Sequence, residues 1–101
     1  MMMYPKHKKI RLKGKAQEEL VEAVYKRDGH CCVVCGRWVE EGHKYHHEPA
    51  KGKGGQDIIE RAALLCDDCH YLRHHGANGW KVREAVEKYL NAKYGSDRVK
   101  L

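Results

Sequence analysis

Residues 66–75 hold two kinds of metal-binding chemistry in one short stretch. Cys66 and Cys69 have the C-x2-C spacing of half a zinc knuckle, and His70 and His74 stand four positions apart. On a helix that interval puts both imidazoles on one face, where they can share a metal separate from the one the thiolates would hold. Each pair is incomplete and needs partners from elsewhere in the chain.

For the thiolates there are few candidates. The five cysteines are Cys31, Cys32, Cys35, Cys66 and Cys69. An odd number, with no secretion signal, argues against a disulfide framework. Cys32 and Cys35 form a second C-x2-C pair, and Gly36 permits the turn that lets amides approach the sulfurs. Cys31 would pair with Cys35 only at a less usual spacing, so it reads as a small buried thiol. Cys32, Cys35, Cys66 and Cys69 are therefore the expected zinc ligands. Four thiolates close a tetrahedral site and leave no position for substrate, which makes such a zinc structural.

The interval between the cysteine pairs is longer than in a plain zinc ribbon, so it must carry something else. It contains His46 and His47, two of eight histidines in the chain. His46 supplies a third ligand to join His70 and His74. His47 faces the other way, because neighbouring residues of a strand alternate, and it is left to act as a base. Three nitrogens keep coordination positions open for water and a phosphate oxygen, as catalysis requires. His43 and His75 are the competing imidazoles; His75 lies five residues after His70 and so points off the face that His74 shares.

The elements that must position these groups are readable in outline. Residues 16–27 have apolar side chains at helical spacing (Ala16, Leu20, Ala23, Val24), closed by Asp28-Gly29. Residues 37–45 read as a short hairpin turning at Glu41-Gly42 and leading into His46. Residues 48–57, rich in glycine and carrying Lys51 and Lys53, form a basic loop. Residues 58–65 read as a short strand entering Cys66. Asp67 is the expected cap of the helix bearing Cys69, His70 and His74, which residues 76–79 end. Residues 80–94 form a final amphipathic helix with Val82, Ala85, Val86, Tyr89 and Leu90 on its inner stripe, and Gly95 stops it.

A chain of 101 residues fits one domain, here residues 16–95, between a basic arm (1–15) and a short tail (96–101). Phenylalanine is absent, so the core depends on aliphatic residues and on a metal. No apolar run is long enough to span a membrane. The lysine-rich start without an apolar segment points to the cytoplasm. The net charge of +6 favours a polyanionic partner, DNA first. Lys8, Lys9, Arg11 and Lys13 of the arm are then expected on its phosphates with Lys51 and Lys53 of the loop.

Taken together, Cys32-x2-Cys35, His46-His47, Gly54-Gly55 and Leu65-Cys66-x2-Cys69-His70-x3-His74 resemble the HNH endonuclease family over roughly residues 20–76. The likeness is greatest to the small zinc-knuckle members of phages and prophages, some encoded beside terminases. It implies an α+β fold in which a ββα-metal core, a hairpin and a helix clamping one divalent ion, sits with the zinc knuckle and flanking helices. It also implies hydrolysis of DNA phosphodiesters to 5′-phosphate and 3′-hydroxyl ends, in a bacterial cytoplasm. His47 matches the general base and His46 the ligand before it. His70 matches the closing histidine of the motif, and His74 a further ligand found in the nuclease colicins. The catalytic ion is left open among Mg2+, Mn2+, Ni2+ and Zn2+.

One position departs from the pattern. The asparagine that braces the loop and orients the base in the family is replaced by Arg61. Arginine carries donors and can either brace in the same way or reach a phosphate. Two other readings stay open beside a nuclease or nickase: a zinc-stabilised DNA-binding module without catalysis, and a structural partner of a terminase-type packaging protein.

Overall fold

A computed structural model describes residues 11–48 and 57–95. It is a small α+β fold in which helix α1 (Gly14–Arg27) precedes strand β1 (His46–His47). A 3-10 turn (Ile59–Arg61), strand β2 (Ala62–Ala63) and helices α2 (Asp67–His75) and α3 (Gly79–Tyr94) follow.

Helix α1 starts two residues before its expected boundary and buries Val24 and Tyr25, with Leu20 and Val21 packed beside them. Ala16 and Ala23, expected on the inner stripe, are exposed. The buried face is the i, i+1, i+4, i+5 set around Leu20, since the larger side chains turn inward where there is room for them. At the end of α1, Arg27 and Asp28 anchor the rest of the chain. Arg27 donates to the carbonyls of Ile59 (2.8 Å) and Ala62 (2.5 Å) and to Tyr94 Oη (3.2 Å). Asp28 accepts from the Leu64 amide (2.8 Å) and Tyr89 Oη (2.5 Å). One adjacent ion pair thereby fixes the 3-10 turn, β2 and α3 against α1.

That anchoring decides which segment β1 pairs with. β1 and β2 are antiparallel, with His46 opposite Ala63 and His47 opposite Ala62. The Glu48 amide continues the ladder to the Arg61 carbonyl at 2.9 Å. The hairpin expected over residues 37–45 does not form. Trp38 instead bridges back to Cys31, and the Val39 amide bonds the His30 carbonyl. The strand expected over residues 58–65 is reduced to Ala62–Ala63, because the residues before it wind into the 3-10 turn that Arg27 holds.

The core joins Val24, Leu64, Leu65, Val86 and Leu90, all nearly inaccessible, with the apolar face of α3 closing over α2. The two helices approach so closely at their junction that a Cβ on Gly79 would lie 2.7 Å from the Arg73 carbonyl oxygen and 2.8 Å from that of Leu72. Only glycine fits there. Among the described residues, no helix is long and apolar enough to cross a membrane.

Candidate metal centres and active site

The turn at residues 32–36 and the start of α2 bring four sulfurs together. Cys32, Cys35, Cys66 and Cys69 each place Sγ within 4.8 Å of the others. Gly36, at φ 78°, sends its amide back to the Cys32 carbonyl and closes the turn. The cap of α2 is Cys66 itself, whose sulfur accepts the Cys69 amide at 3.4 Å. Asp67, expected in that role, is the first helical residue and bonds His43 instead. A sulfur at the cap serves two purposes, since one atom satisfies a helix amide and faces the cluster.

The electrostatics of the cluster favour a cation. Burial opposes the Cys32 thiolate, but amide hydrogen bonds outweigh it and lower its pKa to about 7. Burial, reinforced by the neighbouring sulfurs, pushes the Cys69 thiol well up, and burial also raises Cys66. One negative charge thus suppresses the next, and four thiolates can coexist only around a positive ion. The donor set fits a structural metal such as zinc. Cys31 lies outside the set, as its spacing predicted.

Below the sulfurs, α2 presents His70 and His74 to β1. Nitrogens of His46, His70 and His74 also lie within 4.8 Å of one another, with ring centroids 4.9–5.6 Å apart. His46 is buried, and its Nε2 makes no hydrogen bond among the described residues. Glu48 Oε2, 3.5 Å away, is too distant for a good one. A buried imidazole with a nitrogen left over in this way, beside two other imidazoles, suits a metal ion. His70 and His74 are exposed, so the site opens to solvent. Burial, helped by the neighbouring imidazoles, lowers the pKa of both and favours the neutral form that binds metal. His75 stacks near Tyr71 and His43 bonds Asp67 and the Lys44 carbonyl; both stand outside the trio.

His47 turns to the opposite side of β1. Its Nε2 lies 2.6 Å from Asp57 Oδ1, and the edge of the Tyr45 ring packs against the imidazole. Both residues line a cleft of about 460 Å3, with Arg11, Lys13, Lys44 and Tyr45. Burial works against the Asp57 carboxylate, but hydrogen bonds from His47, the Leu12 amide and Tyr45 outweigh it and hold the group below the usual carboxylate range. Arg11 and Lys13, expected on DNA, stand at this cleft. Lys8, Lys9, Lys51 and Lys53, and with them Gly54-Gly55, lie outside the described residues.

Arg61 is buried, with its carbonyl on the Glu48 amide. Two residues go beyond the sequence expectations. Asp57 is the partner of His47, and Glu48, fully buried, is held by Arg73 beside His46. Glu48 gave one usable signal, a carboxylate two residues after His46. Asp57 gave none stronger than its place at the end of the loop.

Comparison of the chain with known protein families, with curated proteins and with solved structures gave no match.

Proposed function

We propose that this chain is a metal-dependent DNA endonuclease or nickase of HNH type. In this reading Cys32, Cys35, Cys66 and Cys69 hold a structural zinc, and His46, His70 and His74 hold the catalytic divalent ion. The observation that carries the reading is the juxtaposition on β1. His46 joins two α2 imidazoles in a solvent-open trio, while the next residue, His47, lines a basic cleft with a carboxylate on its ring. An antiparallel strand pair followed by the ligand-bearing helix supports it further.

The bound ion would lend positive charge to a phosphate oxygen and to the leaving 3′ oxygen. The rest falls to the chain. His47, with its Nε2 proton on Asp57, has Nδ1 as the acceptor, and it removes a proton from a water molecule. The water oxygen forms a bond to phosphorus and the bond from phosphorus to the 3′ oxygen breaks. That oxygen takes up a proton from solvent, leaving 5′-phosphate and 3′-hydroxyl ends. Arg11 and Lys13, with Lys44 beside them, would hold the flanking phosphates. Arg61 braces β1 from inside the fold through its carbonyl.

Supercoiled plasmid incubated with the purified chain and Mg2+, Mn2+, Ni2+ or Zn2+ tests the reading. Nicked circles that DNA ligase reseals are expected, and only when a divalent ion is present. Absence of cleavage with every ion would contradict it. Arginine in place of the asparagine favours one second reading, a zinc-stabilised DNA-binding module, which salt-sensitive DNA binding without cleavage would support.

A further inference from the structure

We infer that Asp57 is the positioning residue of His47, holding the imidazole in the tautomer that carries its proton on Nε2. The inference rests on the reading of His47 as a base and adds the residue that sets how it works.

The Asp57 carboxylate gathers three groups from two parts of the chain. Its Oδ2 accepts the Leu12 amide at 2.7 Å, and its Oδ1 accepts Tyr45 Oη at 2.9 Å and lies 2.6 Å from His47 Nε2. The residue is only 6% exposed. A buried carboxylate needs donors, but an amide and a phenol would already meet that need. The imidazole is the third and shortest contact, and it alone has two forms to choose between. Because an ionised carboxylate only accepts hydrogen bonds, it selects the Nε2–H form and leaves the lone pair on Nδ1. The Tyr45 ring, 5.2 Å from the imidazole centroid and nearly perpendicular to it, limits rotation of the same side chain. Tautomer and ring orientation are thus fixed together.

The geometry makes Asp57→Asn an informative variant. Asparagine offers one carbonyl oxygen and one amino group in place of two acceptors. The Leu12 amide can only donate, so the carbonyl oxygen must face it. The amino group then faces His47 Nε2, which has to become an acceptor. The proton moves to Nδ1 and the base loses its lone pair there, while the shape and the tie to Leu12 are kept.

The test is the 15N spectrum of imidazole-labelled, zinc-loaded full-length protein, which tells a protonated ring nitrogen from a bare one. The wild type should show His47 protonated on Nε2, Asp57→Asn should show it on Nδ1, and Asp57→Ala should show a mixture. Tyr45→Phe, which removes only the phenol donor, should leave the wild-type pattern. Plasmid cleavage should follow the spectra, with kcat of Asp57→Asn reduced at least ~100-fold and KM changed less than about threefold. The same tautomer in wild type and Asp57→Asn would overturn the inference, as would a wild-type proton on Nδ1, which can be read even if a variant fails to fold. The spectra need no turnover. An inactive wild type would refute the nuclease reading while the tautomers still decide the role of Asp57.

Discussion

Arg73 grips Glu48 through two parallel hydrogen bonds of 3.0 Å, Nε to Oε2 and Nη2 to Oε1, across 25 positions of sequence. The pair fastens the end of β1 to the last turn of α2, with Arg73 next to His74 and one turn from His70, and Glu48 two residues from His46. It therefore clamps the two elements that supply the imidazole trio. Burial opposes the Glu48 charge, but the nearby His46 ring and the two bonds from the Arg73 guanidinium outweigh it and keep its pKa low. Removing one partner leaves the other inside the fold without compensation. Glu48→Ala should cost about 3 kcal/mol, read as a lower urea midpoint at unchanged slope. A midpoint equal to wild type would show that the clamp does not matter.

The cysteine cluster should carry one tightly held zinc per chain. Apparent binding energies of structural zinc, roughly 10 kcal/mol or more, rival the whole stability of a small domain. Chelation or Cys69→Ser should therefore unfold the protein at room temperature, seen as loss of helical circular dichroism. A folded, metal-free protein would contradict the assignment.

The imidazole trio separates true ligands from neighbours. With the cysteine site already filled, His74→Ala should weaken Ni2+ or Zn2+ binding at the second site by at least ~100-fold. His75→Ala and His43→Ala should change it by less than about threefold, because these rings are engaged with Tyr71 and Asp67. Isothermal titration calorimetry reads all three. Equal losses from His74→Ala and His75→Ala would show that α2 presents a different face.

Acid should reveal the Asp57 carboxylate. Its folded pKa lies below the usual range, so its contribution is complete above the unfolded value of about 3.9 and is lost as pH falls through the folded value. The stability gap between wild type and Asp57→Asn should stay constant from neutral pH to about 5 and close below about 4. Excess zinc keeps the cysteine site filled in both proteins, so that the folded state persists over the range compared. A gap that widens below about pH 4 would show that the folded Asp57 carboxyl is protonated more readily than the unfolded one.

Both side-chain clusters, the four cysteines and the three histidines, were legible in the sequence because each depends on local spacing. C-x2-C fits one turn or one helix cap, and His-x3-His fits one helix face, wherever the rest of the chain goes. The choice of His74 over His75 followed from that period. The pairing of β1 was not legible, since nothing local distinguishes residues 37–40 from Ala62–Ala63 as its partner. The decision lies with Arg27 and Asp28, whose bonds to Ile59, Ala62 and Leu64 span more than thirty residues. Asp67 followed cap statistics, and Cys66, whose sulfur faces the other three, took the position instead. Asp57 and Glu48 stayed hidden for the same reason: a carboxylate shows its role only when the chain brings its donors to it.

Plasmid nicking by wild type and His47→Ala decides whether His47 acts beside a metal held by His46, His70 and His74. Both proteins should first be shown to bind equal amounts of zinc and of the second ion. His47→Ala should keep both metals and DNA binding yet nick at least ~100-fold more slowly. Nicking at the wild-type rate by a fully metal-loaded His47→Ala protein would contradict it.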